Sequence, residues 1–192
     1  ILCGSKKIFI MKKIKIAVPA TVANLVCGFD ILGMALNDPC DIMELELTNE
    51  PVINIKHTDS YGLPEVAEQN VAGVALQALL EDYGKNIGFN LTVHKNIKPG
   101  SGLGSSAAGS AGAVVAANYL LNNRFSNEDL VRFAMNGEKL ATGVKHADNV
   151  APCIYGGITL VRSVFPLDII SLAAPNLFVT VVHPQIEVKT AD

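Results

Sequence analysis

The stretch from Lys98 to Ala113, KPGSGLGSSAAGSAGA, consists mainly of glycine, serine and alanine and contains no carboxylate. It follows an alternating segment that predicts a strand and runs into an alanine-rich segment that predicts a helix. Glycines let the backbone approach a ligand, and the free N–H groups of a first helical turn attract anions. The sequence therefore predicts an anion site, where Ser105 and Ser106 could cap the helix, donate to phosphate or bind a metal ion.

Several uses of this loop can be compared from its residues alone. A Walker-type phosphate loop is excluded, because Gly-Lys-Ser/Thr occurs nowhere in the chain. Gly102, Gly104 and Ala107 fit the dinucleotide pattern G-x-G-x-x-A, but the acids at the expected distance, Glu128 and Asp129, fall at a helix start and not at a strand end. A glycine-rich helix start used only for packing stays open. These comparisons favour a loop that holds a polyphosphate.

Composition bounds the class of protein. The chain has 192 residues, 49% of them hydrophobic, 17% charged, and a formal net charge of −3, which predicts one globular domain, or one domain with part of another. We expect no nucleic-acid partner, because no basic patch is present. We expect no membrane partner either, because the uncharged run 99–123 is rich in Gly, Ser and Ala. The cysteines lack metal-ligand spacing and predict free thiols in a reducing cytoplasm: Cys3, Cys27, Cys40 and Cys153.

Hydrophobic periodicity and turn residues predict the elements that position the loop. Strands are predicted at 14–18, 42–47, 52–55, 89–93, 158–161 and 178–182, the first ended by Pro19, and 42–47 and 52–55 as antiparallel strands. Helices are predicted at 65–83, ended by Gly84, at 105–121, and from Ser126 to Gly143 with a capping box at Ser126 and Asp129. Segments 19–38 and 146–157 are predicted as loops. This order favours an α+β or mixed α/β fold over strict βαβ alternation.

Four segments carry a resemblance to a known family. PGSGLGSSAA at 99–108 resembles the central motif of the GHMP small-molecule kinases. VPATVANLVCGFDILGMAL at 18–36 and HADNVAPCIYGG at 146–157 are similar to the first and third motifs of the homoserine kinase family within that superfamily. HPQIEVKTAD at 183–192 resembles the start of a fourth. The motifs occur in the family's order, and the resemblance covers the chain from residue 14 to its end.

The resemblance implies a fold and an activity. It implies an α+β fold with a ribosomal protein S5 domain 2-like ATP-binding domain at 11–174, preceded by an extension at 1–10 and followed at 175–192 by the start of a ferredoxin-like domain. It also implies ATP-dependent phosphorylation of L-homoserine with Mg²⁺, in threonine biosynthesis, and is compatible with a homodimer. Another GHMP kinase with a different alcohol acceptor, and a nucleotide-binding protein without catalysis, are the alternatives.

The resemblance also assigns roles residue by residue. Ser106 and Glu138 match Mg²⁺ positions, and Glu138 and Asn149 are the candidate catalytic residues. Candidate ATP-binding residues are Pro99, Gly100, Ser101, Gly102, Leu103, Gly104, Ser105, Ser106, Ala107, Asn70 and Lys95, the last two as adenine contacts. Candidate substrate-binding residues are Asn24, Asp30, His146, Asp148 and Thr190.

Two points stay open in this assignment. Asp148 has the chemistry of a general base, yet the family reading gives no dedicated base, and an orienting role or a backbone tie is the other interpretation. His146 could likewise carry a proton or serve as a structural hydrogen-bonding group.

In the family, an arginine that grips the substrate carboxylate follows the threonine by four residues, which here is position 194. We therefore expect the 192-residue chain by itself to be inactive or nearly so.

Overall fold

A computed structural model describes residues 12–173 and 177–182. Predictions for Cys3, for the extension, for Thr190 and for the fourth motif lie outside the described residues. The strands are β1 Lys13–Leu25, β2 Gly28–Thr48, β3 Ile53–His57, β4 Gly88–His94, β5 Ile158–Val164 and β6 Leu167–Leu172. The helices are α1 Val71–Tyr83, α2 Ser105–Leu120, α3 Asn127–Thr142 and α4 Val150–Tyr155, and a 3-10 turn covers Ala67–Gln69.

The strands form one six-stranded sheet in the order β3-β4-β2-β5-β6, with β1 paired to β2. The long β2 is the centre of this sheet, since it pairs antiparallel with β1 along its length, with β4 at 42–48 and with β5 at 32–34. The architecture confirms the predicted α+β class and brings the end of the first motif close to the third.

The helix that follows the glycine loop is the most deeply buried element. Twelve of the sixteen residues of α2 are buried, and α2 lies between the β1–β2 pair and helices α1, α3 and α4. Small residues make this possible, because a Cβ at Gly112 would collide with Val18 and Met43 of the sheet. The alanine- and glycine-rich composition of this uncharged run, which argued against a membrane span, therefore forms a close-packing surface. Among residues 12–173 and 177–182, no helix is both long and apolar enough to cross a membrane.

The helix boundaries follow the local signals that predicted them. The hydroxyl of Ser126 accepts a hydrogen bond from the N–H of Asp129, and the Asp129 carboxylate accepts from the N–H of Ser126, which completes the capping box of α3. Gly143 and Gly84 end α3 and α1 with left-handed φ values of 83° and 67°. Within the described residues, Cys27, Cys40 and Cys153 are free thiols, as predicted.

The prediction that 19–38 is a loop, with the first strand ended by Pro19, is wrong. Pro19 pairs with Cys40 inside β1, and the register of β1 against β2 shifts between Pro19 and Thr21. Proline is tolerated at such irregularities because the ladder hydrogen bond is already interrupted there. The chain then turns sharply, with left-handed φ at Asn24 and Asp30. The first motif is thus a bulged hairpin.

Three other strand and loop predictions need correction. The strand at 52–55 is β3, but it pairs parallel with β4, because α1 connects the two and returns the chain in the same direction. Segment 146–157 contains α4, in which Pro152 lies in the first turn, where its missing N–H costs little. Residues 177–182 are not a strand, and within the described chain they pair with no other segment. The strand β6 was not predicted.

Candidate active site

The glycine loop opens into a cavity of about 510 Å³ that also receives residues from β1, α1, α3 and the 146–149 segment. Eleven of the predicted site residues line it: Asn24, Asn70, Lys95, Pro99, Gly100, Gly102, Gly104, Ser105, Ser106, Glu138 and Asn149. Six others do not line it: Asp30, Ser101, Leu103, Ala107, His146 and Asp148. A second, more open groove between β3 and α1 contains none of the predicted residues. The folded chain therefore gathers most of the predicted site around one cavity.

The glycine loop adopts a backbone that favours glycine. Gly100, Gly102 and Gly104 have φ values of 73°, 76° and 61°, all in the left-handed region. Gly104 is the N-terminal cap of α2, and within the described chain no side chain caps that first turn. Ser105 is not a cap either, because its hydroxyl donates to the carbonyl of Ile97 at 2.9 Å. The N-terminus of α2 is therefore free of a competing side chain and can accept an anion.

Lys95 lies against the cavity but is already paired inside the protein. Its ammonium donates to the carboxylate of Asp41, and to the carbonyl of Ser105 at 2.6 Å. The other Asp41 oxygen accepts hydrogen bonds from the N–H groups of Asn96 and Ile97, both at 2.8 Å. The Asp41 and Lys95 side chains are 0% and 5% exposed. This ion pair ties the end of β4 and the first residue of α2 to β2.

Asn70 is also fully engaged within the protein. Its side-chain oxygen accepts from the N–H groups of Ala72 and Gly73, which caps α1. Its amide nitrogen lies 2.6 Å from the Pro64 carbonyl and 3.0 Å from Nε2 of His57. The amide nitrogen has two N–H groups, and both are used by these two bonds, so the Asn70 side chain has no donor left. Asn70 therefore shapes the wall of the cavity, and His57 is a further lining residue that sequence reasoning missed.

Glu138 and Ser106 face the same cavity from α3 and α2. Glu138 is 5% exposed, and its Oε1 has no hydrogen-bond partner among the described residues. Burial raises the pKa of Glu138 to about 6, with the Ser106 hydroxyl opposing the rise and the Asp148 carboxylate adding to it. A buried carboxylate oxygen without a donor is costly. The Glu138 carboxylate oxygen and the Ser106 hydroxyl oxygen fit the preference of Mg²⁺ for hard oxygen ligands, and phosphate and water would complete the coordination.

The predicted amino-acid site lies beside the cavity, at the β1–β2 hairpin. The side-chain oxygen of Asn24 accepts from the N–H of Asp30 at 2.8 Å, and the two residues have φ values of 58° and 59°. A carboxylate oxygen of Asp30 lies 3.6 Å from Nδ1 of His146. A backbone held in this conformation is strained for residues with a Cβ, and such strain clusters at functional sites. Asn24, Asp30 and His146 therefore form one polar group at the cavity edge.

Asp148 and Asn149 connect the third motif to the first. Asp148 is 3% exposed, and one of its carboxylate oxygens accepts from the N–H of Asn149 at 3.0 Å. Burial raises the pKa of the Asp148 carboxyl, and the N–H of Asn149 opposes the rise. Asn149 accepts a hydrogen bond from the Thr21 hydroxyl at 2.8 Å while also lining the cavity. The hydrogen bond of the Asp148 carboxylate is made to the backbone, which is compatible with an orienting role or a backbone tie, and the choice between this role and a general base stays a prediction.

Comparison with known proteins shows which proteins this chain is similar to. A family model described as the GHMP kinases N terminal domain matches residues 70–157. Homoserine kinase from Methanococcus maripaludis is 41% identical over 181 residues, which cover 94% of this chain and 60% of that protein. Homoserine kinase from Chlorobium phaeobacteroides is 40% identical over 194 residues, covering 94% of this chain and 61% of that protein. The chain thus spans about 60% of the length of these curated relatives.

Solved structures give the same relationship. The crystal structure of homoserine kinase from Cytophaga hutchinsonii matches with a TM-score of 0.80 at 44% identity, over 91% of this chain and 55% of that one. Mevalonate kinase from Methanococcus jannaschii matches with a TM-score of 0.64 at 19% identity, over 84% of this chain and 56% of that one, which shows the shared fold alone. Residues 70–157 therefore form a GHMP kinase N-terminal domain, and the sequence and fold of the chain are similar to those of homoserine kinases in that superfamily.

Proposed function

We propose that the protein transfers the γ-phosphoryl group of ATP to the hydroxyl of L-homoserine, giving O-phospho-L-homoserine for threonine biosynthesis in the cytoplasm. One observation carries the proposal: the uncapped glycine-loop end of α2 shares a single cavity with Glu138, Ser106 and Asn149. Phosphoryl transfer needs a phosphate cradle, neutralisation of charge and an aligned acceptor. The cavity offers a candidate group for each of these needs.

ATP and Mg²⁺ are the proposed cofactors. The backbone of 99–107 would hold the phosphates, with the left-handed glycines letting N–H groups converge on the anion. Ser106 and Glu138 would hold the metal ion, which neutralises the charge that develops on the phosphate oxygens. Asn70 would shape the wall of the nucleotide pocket through the bonds it already makes. Lys95 would form its floor, where two of its three N–H donors are used by Asp41 and Ser105 and one is left for a ligand.

The acceptor carries an ammonium, a carboxylate and a hydroxyl. Asp30 suits the ammonium because the exposed fraction of its side chain is 45%, and among the described residues the one basic side chain within 4 Å of its carboxylate is His146, at 3.6 Å. The side-chain oxygen of Asn24 is used by the N–H of Asp30, and among the described residues its amide nitrogen donates to no protein group. Asn149 would position the hydroxyl for in-line attack, and Thr190 is proposed to contact the substrate. Asp148 would orient the 146–149 segment. The proposed assembly of the protein is a homodimer.

Steady-state assays of ADP release test this function in the intact protein. We expect turnover with L-homoserine and Mg²⁺, and phosphorus NMR should identify O-phospho-L-homoserine as the product. Mevalonate and galactose are the comparison acceptors, because they are alcohols of other GHMP kinases. Faster turnover with either would assign another acceptor, and no turnover with any alcohol would favour a non-catalytic nucleotide-binding protein.

The same assay applied to the 192-residue chain tests the prediction that it is inactive by itself. The bidentate arginine with which the family grips the substrate carboxylate is hard to replace in that role. ADP release that depends on homoserine would contradict the prediction. Nucleotide binding by this chain can be measured separately by fluorescence. Binding without homoserine-dependent ADP release would indicate that the phosphate loop is formed while the acceptor site is not.

A further inference from the structure

Thr21 is a buried polar residue that makes bonds to two of the three motifs around the cavity. It is 0% exposed and does not line the cavity itself. Its N–H donates to the carbonyl of Leu103 in the glycine loop at 3.2 Å. Its hydroxyl donates to Oδ1 of Asn149 at 2.8 Å. Thr21 therefore connects the bulged hairpin both to the phosphate loop and to the segment that carries Asn149.

The geometry of the neighbouring glycine shows how closely these parts meet. A Cβ on Gly104 would collide with the Thr21 hydroxyl and would lie 3.0 Å from Oδ1 of Asn149. Only a residue without a side chain fits at the cap of α2 while the Thr21–Asn149 bond is made. The bulge between Pro19 and Thr21 shifts the register of β1 at this point, and the hydrogen bonds of Thr21 follow directly after it.

The bond to Thr21 also decides which end of the Asn149 amide is available. Asn149 is the N-terminal cap residue of α4, but its side chain makes no capping bond. Its oxygen is occupied by Thr21, and within the described chain its amide nitrogen donates to no protein group. Since Asn149 lines the cavity, its available group is an N–H donor, which can bind an oxygen lone pair.

We propose that Thr21 is a positioning residue for the phosphoryl transfer, acting through Asn149: its hydroxyl holds the Asn149 oxygen so that the amide nitrogen faces the acceptor hydroxyl. This inference rests on the proposed function. Thr21 touches neither substrate, so its effect is on the alignment of the acceptor and not on the affinity for nucleotide. A misplacement of a reacting group by about 1 Å can lower turnover by roughly 100-fold.

The test uses the intact protein with three substitutions. Thr21→Val keeps the shape and removes the hydroxyl, and we expect kcat to fall about 10- to 100-fold while the Kd for ATP stays within about twofold. Thr21→Ser keeps the donor and should restore most of the turnover. Thr159→Val is the matched control, because Thr159 is another buried threonine of the sheet whose hydroxyl has no partner in the described chain. It should leave kcat unchanged.

A double-mutant cycle separates positioning from a general effect on folding. If Thr21 acts through Asn149, the loss of kcat on Thr21→Val disappears in an Asn149→Ala background. Equal losses in both backgrounds, or a Thr21→Val enzyme with wild-type kcat, would overturn the inference. Should Thr21→Val not fold, Thr21→Ala in both backgrounds answers the same question, since it also removes the hydroxyl that bonds to Asn149 and should lower kcat only where Asn149 is present. Failure of wild-type protein to phosphorylate homoserine would instead refute the proposed function.

Discussion

The carboxylate of Asp41 and the ammonium of Lys95 form an ion pair that is almost completely buried beneath the glycine loop. Both groups also bond to the backbone: Asp41 to the N–H groups of Asn96 and Ile97, and Lys95 to the carbonyl of Ser105. A buried pair adds little net stability compared with an apolar pair, but removal of one partner leaves the other charge uncompensated. The pair therefore fixes the position of the loop more than it strengthens the fold.

Asp41→Asn is expected to destabilise the protein by about 3–5 kcal/mol, because it leaves the Lys95 ammonium buried without a counter-charge. Urea unfolding monitored by circular dichroism measures this loss. Asp82→Asn is the control. Asp82 forms an ion pair with Arg132, but its side chain is 46% exposed, and such surface pairs contribute less than about 1 kcal/mol. Equal losses in the two variants would show that the Asp41–Lys95 pair is not effectively buried.

Gly104→Ala is expected to be more damaging than Gly102→Ala. Both glycines have left-handed φ, at 61° and 76°, so either alanine costs about 1–2 kcal/mol in backbone strain. Only the Cβ at Gly104 meets protein atoms, those of Thr21 and Asn149, while the Cβ at Gly102 meets nothing within 4 Å. Overpacking adds about 1–3 kcal/mol at Gly104. Thermal unfolding measures the stability of the two variants. Equal stability of Gly104→Ala and Gly102→Ala would contradict the close approach of Thr21 and Asn149 to Gly104.

Local signals predicted helices α1, α2 and α3 but not α4, which lies in the segment predicted as a loop, and long-range pairing was not available from the sequence. The capping box at Ser126 and Asp129 and the glycine at 143 are local hydrogen-bonding and φ requirements, so they can be read from neighbouring residues. The direction of β3 could not, because alternation of side chains is the same in parallel and antiparallel strands. The hairpin of the first motif was missed because Pro19 reads as a strand end when its bulge is unknown.

The candidate site shows the same division. Motif similarity predicted Ser106, Glu138 and Asn149, and the fold brings all three to one cavity. Thr21 lies inside the first motif, so its presence was visible, but its hydrogen bond to Asn149 spans 128 positions of the chain. Asp41 carried no local signal, because a single acid before an alternating strand is typical of exposed positions. Tertiary contacts alone identify both residues.

Ser106→Ala is expected to weaken the use of Mg²⁺ by the intact enzyme, because it removes one of the two proposed oxygen ligands. Loss of a group that binds or orients a metal ion costs about 10- to 100-fold in affinity or activity. Turnover measured over a range of Mg²⁺ concentrations checks this expectation. Ser110→Ala is the control, since Ser110 lies one turn further along α2 and its hydroxyl donates to the carbonyls of Ser106 and Ala107. Unchanged Mg²⁺ dependence in Ser106→Ala would remove Ser106 from the metal site.

Glu138→Gln is expected to stabilise the protein without metal or nucleotide at neutral pH, but not at pH 4. Burial raises the pKa of Glu138 to about 6 in the folded protein, against 4.5 for an ordinary glutamate. The unfolded chain therefore releases this proton at lower pH than the folded protein does. The free energy of unfolding of the wild type is consequently highest below pH 4.5, where Glu138 is neutral in both states, and it falls as the pH rises through 6. This difference in the pKa of Glu138 between the folded and unfolded protein corresponds to about 2 kcal/mol.

Urea unfolding at pH 4 and pH 7.5, with Mg²⁺ and nucleotide removed, measures this effect in wild type and Glu138→Gln. The variant lacks the ionising group, so its advantage in unfolding free energy should grow by about 2 kcal/mol between the two pH values. Glu81→Gln on the surface of α1 provides the comparison, because Glu81 is exposed. A constant difference between wild type and Glu138→Gln across this range would mean that the Glu138 carboxyl titrates alike in the folded and unfolded chains, and that its burial holds no strain for a metal ion to relieve.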